Sequence, residues 1–302
     1  MHNPIGIVIL AAILACAGLT HAEGKRDFIH YLIMDGKEDD VRRKITKYPS
    51  LLELPYTEGS KVLPLHQAVQ YSSPELVKFM IEKGANINAI CYNDFTALHL
   101  CKSPDTARVL IEAGADTTIT DSQGNTALQL SALNGQTKVA EVMIEAGAKL
   151  DLLSATALGM SEEASKIARE NPDLLRSADP HRHVLQRNET PLGIAASMGD
   201  LELVKLFVEL GAEVNSFNFY PLGAGGYSPL TNAVEGGWED VVEFLLQKGA
   251  NPNVKVGKFG IDLTDAVREE GGGKILSLLE RAKYKEGEQG GDKQPASAPK
   301  SK

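Results

Sequence analysis

"LIEAGADTT" occupies residues 110–118, and nearly the same phrase is written four more times: "MIEKGANIN" at 80–88, "MIEAGAKLD" at 143–151, "FVELGAEVN" at 207–215 and "LLQKGANPN" at 245–253. A catalytic motif stands once, where the chemistry happens. A phrase used five times is a structural part, and self-similarity at a fixed period is the signature of a repeat architecture. Its glycines, Gly84, Gly114, Gly147, Gly211 and Gly249, stand at intervals of 30, 33, 64 and 38. The 64 is two units of 32, so one repeat has drifted.

A second ladder keeps step with the first: "LPLHQAV" at 63–69, "TALHLCK" at 96–102, "TALQLSA" at 126–132, "TPLGIAA" at 190–196 and "SPLTNAV" at 228–234. Thr96, Thr126, Thr190 and Ser228 are residues that cap a helix through a hydroxyl, and Pro191 and Pro229 fall where a first-turn proline loses no hydrogen bond. The anchors Leu65, Leu98, Leu128, Leu192 and Leu230 should point into a stack. Small Ala68, Cys101, Ala195 and Ala233 should let a short inner helix approach its neighbour. Stretches such as "LVKFMIEKG" and "VVEFLLQKG" are apolar at helical spacing, and each ends at a glycine suited to the left-handed turn after a helix.

These two ladders resemble the ankyrin repeat, with its period near 33 and its T-P-L-H-x-A opening. The resemblance implies an all-α repeat solenoid of helix–turn–helix units carrying short β-hairpin or loop fingers. The drifted unit is "SATALGMSEEASKIARENPDLL" at 154–175, with Leu158 as its expected anchor. Its ending, Asn171 to Leu175, matches Tyr48 to Leu52, so residues 26–52 form a first unit of the same variant type, one common in ankyrin proteins of bacteria. "IDLTDAVREEGGGKILSLLERAK" keeps Leu263 one repeat period after Leu230 and is polar, as a terminal cap should be. Eight helix pairs then span roughly 24–285. The expected boundaries are a targeting segment at 1–22, an N-terminal capping unit at 23–62, about six repeats at 63–260 (irregular at 154–189), a C-terminal cap at 261–285 and a disordered tail at 286–302.

Forty acidic residues against 31 basic ones leave a formal charge of −9, none of it before Glu23. Such a chain has no general attraction for nucleic acid. Ile5–Leu19 is an uncharged apolar run of signal-peptide length. Cleavage after Ala22 and lipidation at Cys16, in "ILAC", are both open, and either implies an exported chain that is periplasmic, secreted or lipid-anchored in the envelope; the alternative is a buried N-terminal helix of a cytosolic protein. Cys91 and Cys101 are too few for a disulfide scaffold and are expected as free thiols.

With repeat positions committed to structure, function should sit where units differ. The interval from Gly211 to Leu230 is five positions longer than that from Gly84 to Leu98 or from Gly114 to Leu128. The extra length brings Phe217, Phe219, Tyr220 and Tyr227 onto one finger, and aromatic side chains make good binding anchors. "ADPHRHVLQRNET" offers His181, Arg182 and His183 for partner contact; two histidines and Asp179 fall short of a metal site. A third finger carries Tyr92 and Phe95, with Asp94 where glycine is usual. His66 and His99 belong to the opening motif and should bond loop backbone. Trp238 replaces the histidine common in the helix–helix turn, as packing or as contact. The interval from Gly147 to Leu158 is three positions shorter than the usual one and should notch the finger row.

No nucleotide-binding, zinc-protease or nucleophile-elbow motif occurs. The resemblance therefore implies a non-catalytic scaffold, mainly monomeric and without cofactor or metal, that grips a protein partner through fingers and concave face. The membrane enters only through a lipid anchor. A toxin-inhibiting immunity-type protein is one member of that class, and an envelope-tethered spacer without a specific ligand is the rival.

Overall fold

The computed structural model describes residues 29–57, 60–175, 190–216, 218–219, 226–257 and 259–290, and they fall into two compact units, 1–158 and 159–302. In the first, α1 (Ile29–Met34), α3 (Pro64–Tyr71), α5 (Ala97–Leu100), α7 (Ala127–Leu133) and α9 (Leu152–Ala157) are the inner helices, each packed on the next. The outer row is α2 (Glu38–Lys47), α4 (Pro74–Glu82), α6 (Pro104–Glu112) and α8 (Thr137–Glu145). The second unit holds outer α10 (Ser161–Glu170), the pairs α11 (Pro191–Met198) with α12 (Leu201–Glu209) and α13 (Pro229–Gly236) with α14 (Glu239–Gln247), and the closing pair α15 (Leu263–Glu269) with α16 (Gly273–Gly290). This is the helical repeat solenoid that the two ladders predict.

Local chemistry sets the helix ends. Thr126, Thr190 and Ser228 each accept an amide hydrogen bond three residues on, and Pro191 and Pro229 sit in the first turn. At Thr96 the hydroxyl turns instead to His99 Nδ1, 2.8 Å away. The five repeated glycines all have φ between 86° and 97°, the left-handed region that stops α4, α6, α8, α12 and α14. The anchor leucines and Ala68, Ala195 and Ala233 are buried, so the short helices meet at side chains of one carbon.

Length differences map onto single elements. Leu98 to Gly114 is three residues shorter than Leu65 to Gly84. The deletion removes the last turn of the inner helix, leaving α5 only four residues long before Cys101 turns extended.

The two variant units share one geometry. Lys37 and Met160, before the outer helices, have φ −84° with ψ 61° and 67°, and Tyr48 and Asn171, after them, have φ −137° and −142° with ψ 79° and 78°. Each is followed by a 3-10 turn, Pro49–Glu53 and Pro172–Leu175. The fourth anchor, however, is not Leu158. Asp151 caps α9 by accepting from Ser154 N at 3.0 Å, which makes Leu153 the buried equivalent of Leu128, while Leu158 ends the helix half-exposed. Gly147 to Leu153 is therefore six residues, and this unit has almost no finger. The other departure is at the C-terminus, where α16 continues to Gly290, past the boundary expected at 285. Among the described residues no helix is long and apolar enough to cross a membrane.

Candidate functional site

Fingers follow the glycines that end α4, α6, α12 and α14, and side-chain amides and a backbone bond tie them in register. In the first unit Asn88 Oδ1 accepts from Asp116 N at 2.9 Å, and Ser122 N donates to Asn93 O at 2.9 Å. In the second, Asn215 Oδ1 accepts from Asn251 N at 2.8 Å while its Nδ2 donates to Gly249 O at 2.9 Å. Buried Asp121 braces its own loop by accepting from Gln123 N and Asn125 N, both at 2.8 Å.

The opening-motif histidines join each inner helix to the following finger. His66 Nδ1 accepts from Leu63 N at 3.0 Å, which places the proton on Nε2 for the 2.9 Å bond to Ala89 O. His99 repeats this with Thr96 N at 3.2 Å and Asn125 O at 3.2 Å. Burial pushes both imidazoles below their ordinary pKa, against the opposing pull of those carbonyls. Both are neutral structural pins, as their place in the motif predicts. In the third repeat Gln129 Oε1 accepts from Thr126 N at 3.0 Å and stands in for the imidazole.

The aromatic residues of the first unit's finger turn inward. Phe95 is 6% exposed, stacked on His99 at 5.8 Å and edge-on to half-buried Tyr92 at 5.7 Å. The turn that places them puts two consecutive non-glycine residues in the left-handed region, Asn93 at φ 54° and Asp94 at φ 57°. Cys91 and Cys101 are buried free thiols, pushed up by burial to about 12 and about 11 respectively, so neither is a nucleophile. Among the described residues no group of three or more His, Cys, Asp or Glu side chains is placed to hold a metal ion.

The second unit presents its fingers differently. The long finger is a β-hairpin in which β1 (Asn218–Phe219) pairs antiparallel with β2 (Gly226–Tyr227), Asn218 opposite Tyr227. Beside it lies a second hairpin, β3 (Lys255–Val256) with β4 (Ile261–Asp262), β3 packing against β2. Phe259, in the turn of that hairpin, is 83% exposed, and Ile261 is 41% exposed. Tyr227 is half-buried at the base of the first hairpin. Phe219 is placed by its backbone in β1; Phe217, Tyr220, His181, Arg182, His183 and Cys16 lie outside the described residues. Phe259 is not among the sequence candidates, although an aromatic inside "GKFG" is a legible signal of a side chain held out on a turn.

Trp238 resolves into packing and exposure together. Its Nε1 donates to Ser197 O at 2.8 Å, and its ring covers Gly199 and Gly236, while 40% of the residue stays exposed.

A family model described as ankyrin repeats, in three copies, matches residues 13–121, 65–154 and 163–256. Among curated proteins the chain is 27% identical over 202 residues to the human transient receptor potential cation channel subfamily A member 1, covering 62% of this chain and 18% of the channel subunit. It is 28% identical over 163 residues to the NF-kappa-B inhibitor cactus of Drosophila yakuba, covering 52% of this chain and 30% of cactus. With the probable 26S proteasome regulatory subunit p28 of Saccharomyces cerevisiae it shares 24% identity over 228 residues, 73% of this chain and 84% of p28. Of the channel subunit and cactus the chain thus spans less than a third. Among solved structures, the ankyrin repeat domain of Bcl-3 aligns at 21% identity over 84% of this chain and 97% of that one, with a TM-score of 0.42. The human ASB11 ankyrin repeat domain aligns at 23% identity over 73% and 98%, with a TM-score of 0.43.

Proposed function

The chain belongs to the ankyrin-repeat family, and from that premise we propose that it is a non-catalytic scaffold that binds a protein partner through the paired hairpin fingers of its second unit. Ankyrin repeats generally mediate protein–protein interaction. The observation that carries the finer proposal is Phe259, 83% exposed at a hairpin turn next to a finger rich in aromatic residues. A phenyl ring held in water gains nothing for folding, whereas in an interface it buries large area at the cost of few rotatable bonds. A plain spacer would gain nothing from it. The names of p28, a regulatory subunit, and cactus, an inhibitor, fit the same class of protein that acts on other proteins.

The proposal includes export, carried by the uncharged apolar run Ile5–Leu19. Mass determination of the mature N-terminus decides it: Glu23 exposed or Cys16 acylated supports export, and retained Met1 overturns it. For binding, the full chain and a Phe259→Ser/Ile261→Ser variant are used as parallel baits against extract of the source organism. A protein held by the first and lost by the second, with both baits equally folded by circular dichroism, supports the fingers. Equal recovery on both baits overturns them.

A further inference from the structure

The helix–helix turns of the second unit form an edge of their own, and its centre is Trp238. The indole stands at the start of α14, clamped by the Ser197 carbonyl and seated where Gly199 and Gly236 leave no Cβ. Two-fifths of the residue nevertheless faces solvent, and Met198, on the neighbouring turn, is 41% exposed. Exposed Glu235, Glu239 and Asp240 flank the indole in sequence. The next turn is joined to this one by Lys274 to Glu239 at 3.2 Å, and it adds exposed Glu269 and Glu270. The edge is a clamped aromatic plane on turns that carry exposed carboxylates, one of them, Glu239, already paired with Lys274, on a chain whose net charge is −9.

We propose that this edge is a docking surface for a basic segment of a protein partner, with an arginine guanidinium stacked on the exposed face of Trp238 and paired with the surrounding carboxylates. Charge complementarity selects a cationic occupant, and an indole is the best aromatic partner for a cation. Arginine fits better than lysine, because its planar guanidinium both stacks and forks to carboxylate. Tyr71 ends an inner helix of the first unit and is 42% exposed, which makes it the aromatic control outside this edge.

Trp238 is the only tryptophan, so indole emission reports this edge alone. The full chain is titrated with a fluorophore-labelled octapeptide of alternating glycine and arginine, and with lysine and glutamate versions. Affinity is read by anisotropy and location by indole emission. Saturable binding of the arginine peptide with a change in indole emission is expected, weaker for lysine and absent for glutamate. Trp238→Leu and Glu235→Gln/Asp240→Asn should each weaken it by about tenfold, while Tyr71→Leu and Phe259→Ser leave it unchanged. No saturable binding overturns the proposal, as does binding without an emission change. If both Trp238→Leu and the carboxylate variant bind as tightly as the parent, it is equally overturned. Should Trp238→Leu fail to fold, the carboxylate variant, which keeps the ring, decides alone.

Discussion

Trp238 Nε1 and the carbonyl oxygen of Ser197 lie 2.8 Å apart, although far separated in sequence. The bond ties one helix–helix turn of the second unit to the next and fixes the indole over Gly199, whose φ is +74°. A Cβ built on Gly199 would meet Trp238 Cδ2 at 2.3 Å. Gly199→Ala should therefore destabilise by about 3 kcal/mol, roughly 1 from the left-handed backbone and the rest from displacing the ring. Denaturant titration checks this. In the Trp238→Ala background the same substitution should cost only the backbone part, and full additivity of the two changes would refute the clamp.

The histidine pins predict a pH dependence with a definite sign. His66 and His99 have pKa values below 6.5 in the fold because burial disfavours the imidazolium, and Nδ1 of each already accepts an amide. In the unfolded chain they take up a proton near the ordinary value. Between those two pKa values the unfolded state binds more protons, so stability rises with pH there. It is fully present above about pH 6.5 and falls as the pH drops through the window below. The carboxylates titrate too, so the test is a difference. Replacing both histidines by glutamine, the residue the third repeat uses at 129, should flatten the loss of stability between pH 7.5 and 5.5. An unchanged slope would sink the assignment of neutral pins.

What is legible in the sequence is whatever is decided locally. Capping hydroxyls, first-turn prolines and helix-stopping glycines act within four residues, and they place most helix starts where the ladders put them. Leu158 is misplaced for an equally local reason: Asp151 caps α9, but "DLLS" does not look like "TPL", and counting from the wrong leucine moves the helix by five residues. Trp238 stays ambiguous in the sequence because its partners, Ser197 and Gly199, belong to the preceding repeat. The helix past residue 285 escapes a sequence reading because "KEGEQG" has poor helix propensity; extending a helix that is already anchored costs far less than starting one. Phe95 shows the limit most plainly, since the inward turn of its ring depends on the backbone of Asn93 and Asp94.

Cys91 and Cys101, the two thiols among the described residues, should be inert in the folded chain. Cys91 and Cys101 are buried, and burial holds them at about 12 and about 11, far from a reactive thiolate at neutral pH. Iodoacetamide at pH 7.5, read out by peptide mass, should leave both unmodified until denaturant is added. Alkylation of either one in the native protein at the rate of a free thiol would contradict the packing described.

Phe95 and Phe259 both stand on fingers, and the structure separates them by a single property that mutation can read. Phe95 is buried against Tyr92 and His99, so Phe95→Ala removes a packed ring and should cost about 3 kcal/mol or more. Phe259, at 83% exposure, has little folding contact to lose, and Phe259→Ser should change stability by no more than about 0.5 kcal/mol. Denaturant melts of the two variants beside the parent measure both shifts. A large loss from Phe259→Ser would mean that its ring is a folding contact, which removes the observation behind finger binding. Stability kept together with a lost partner is the pattern required of a side chain whose burial waits for another protein.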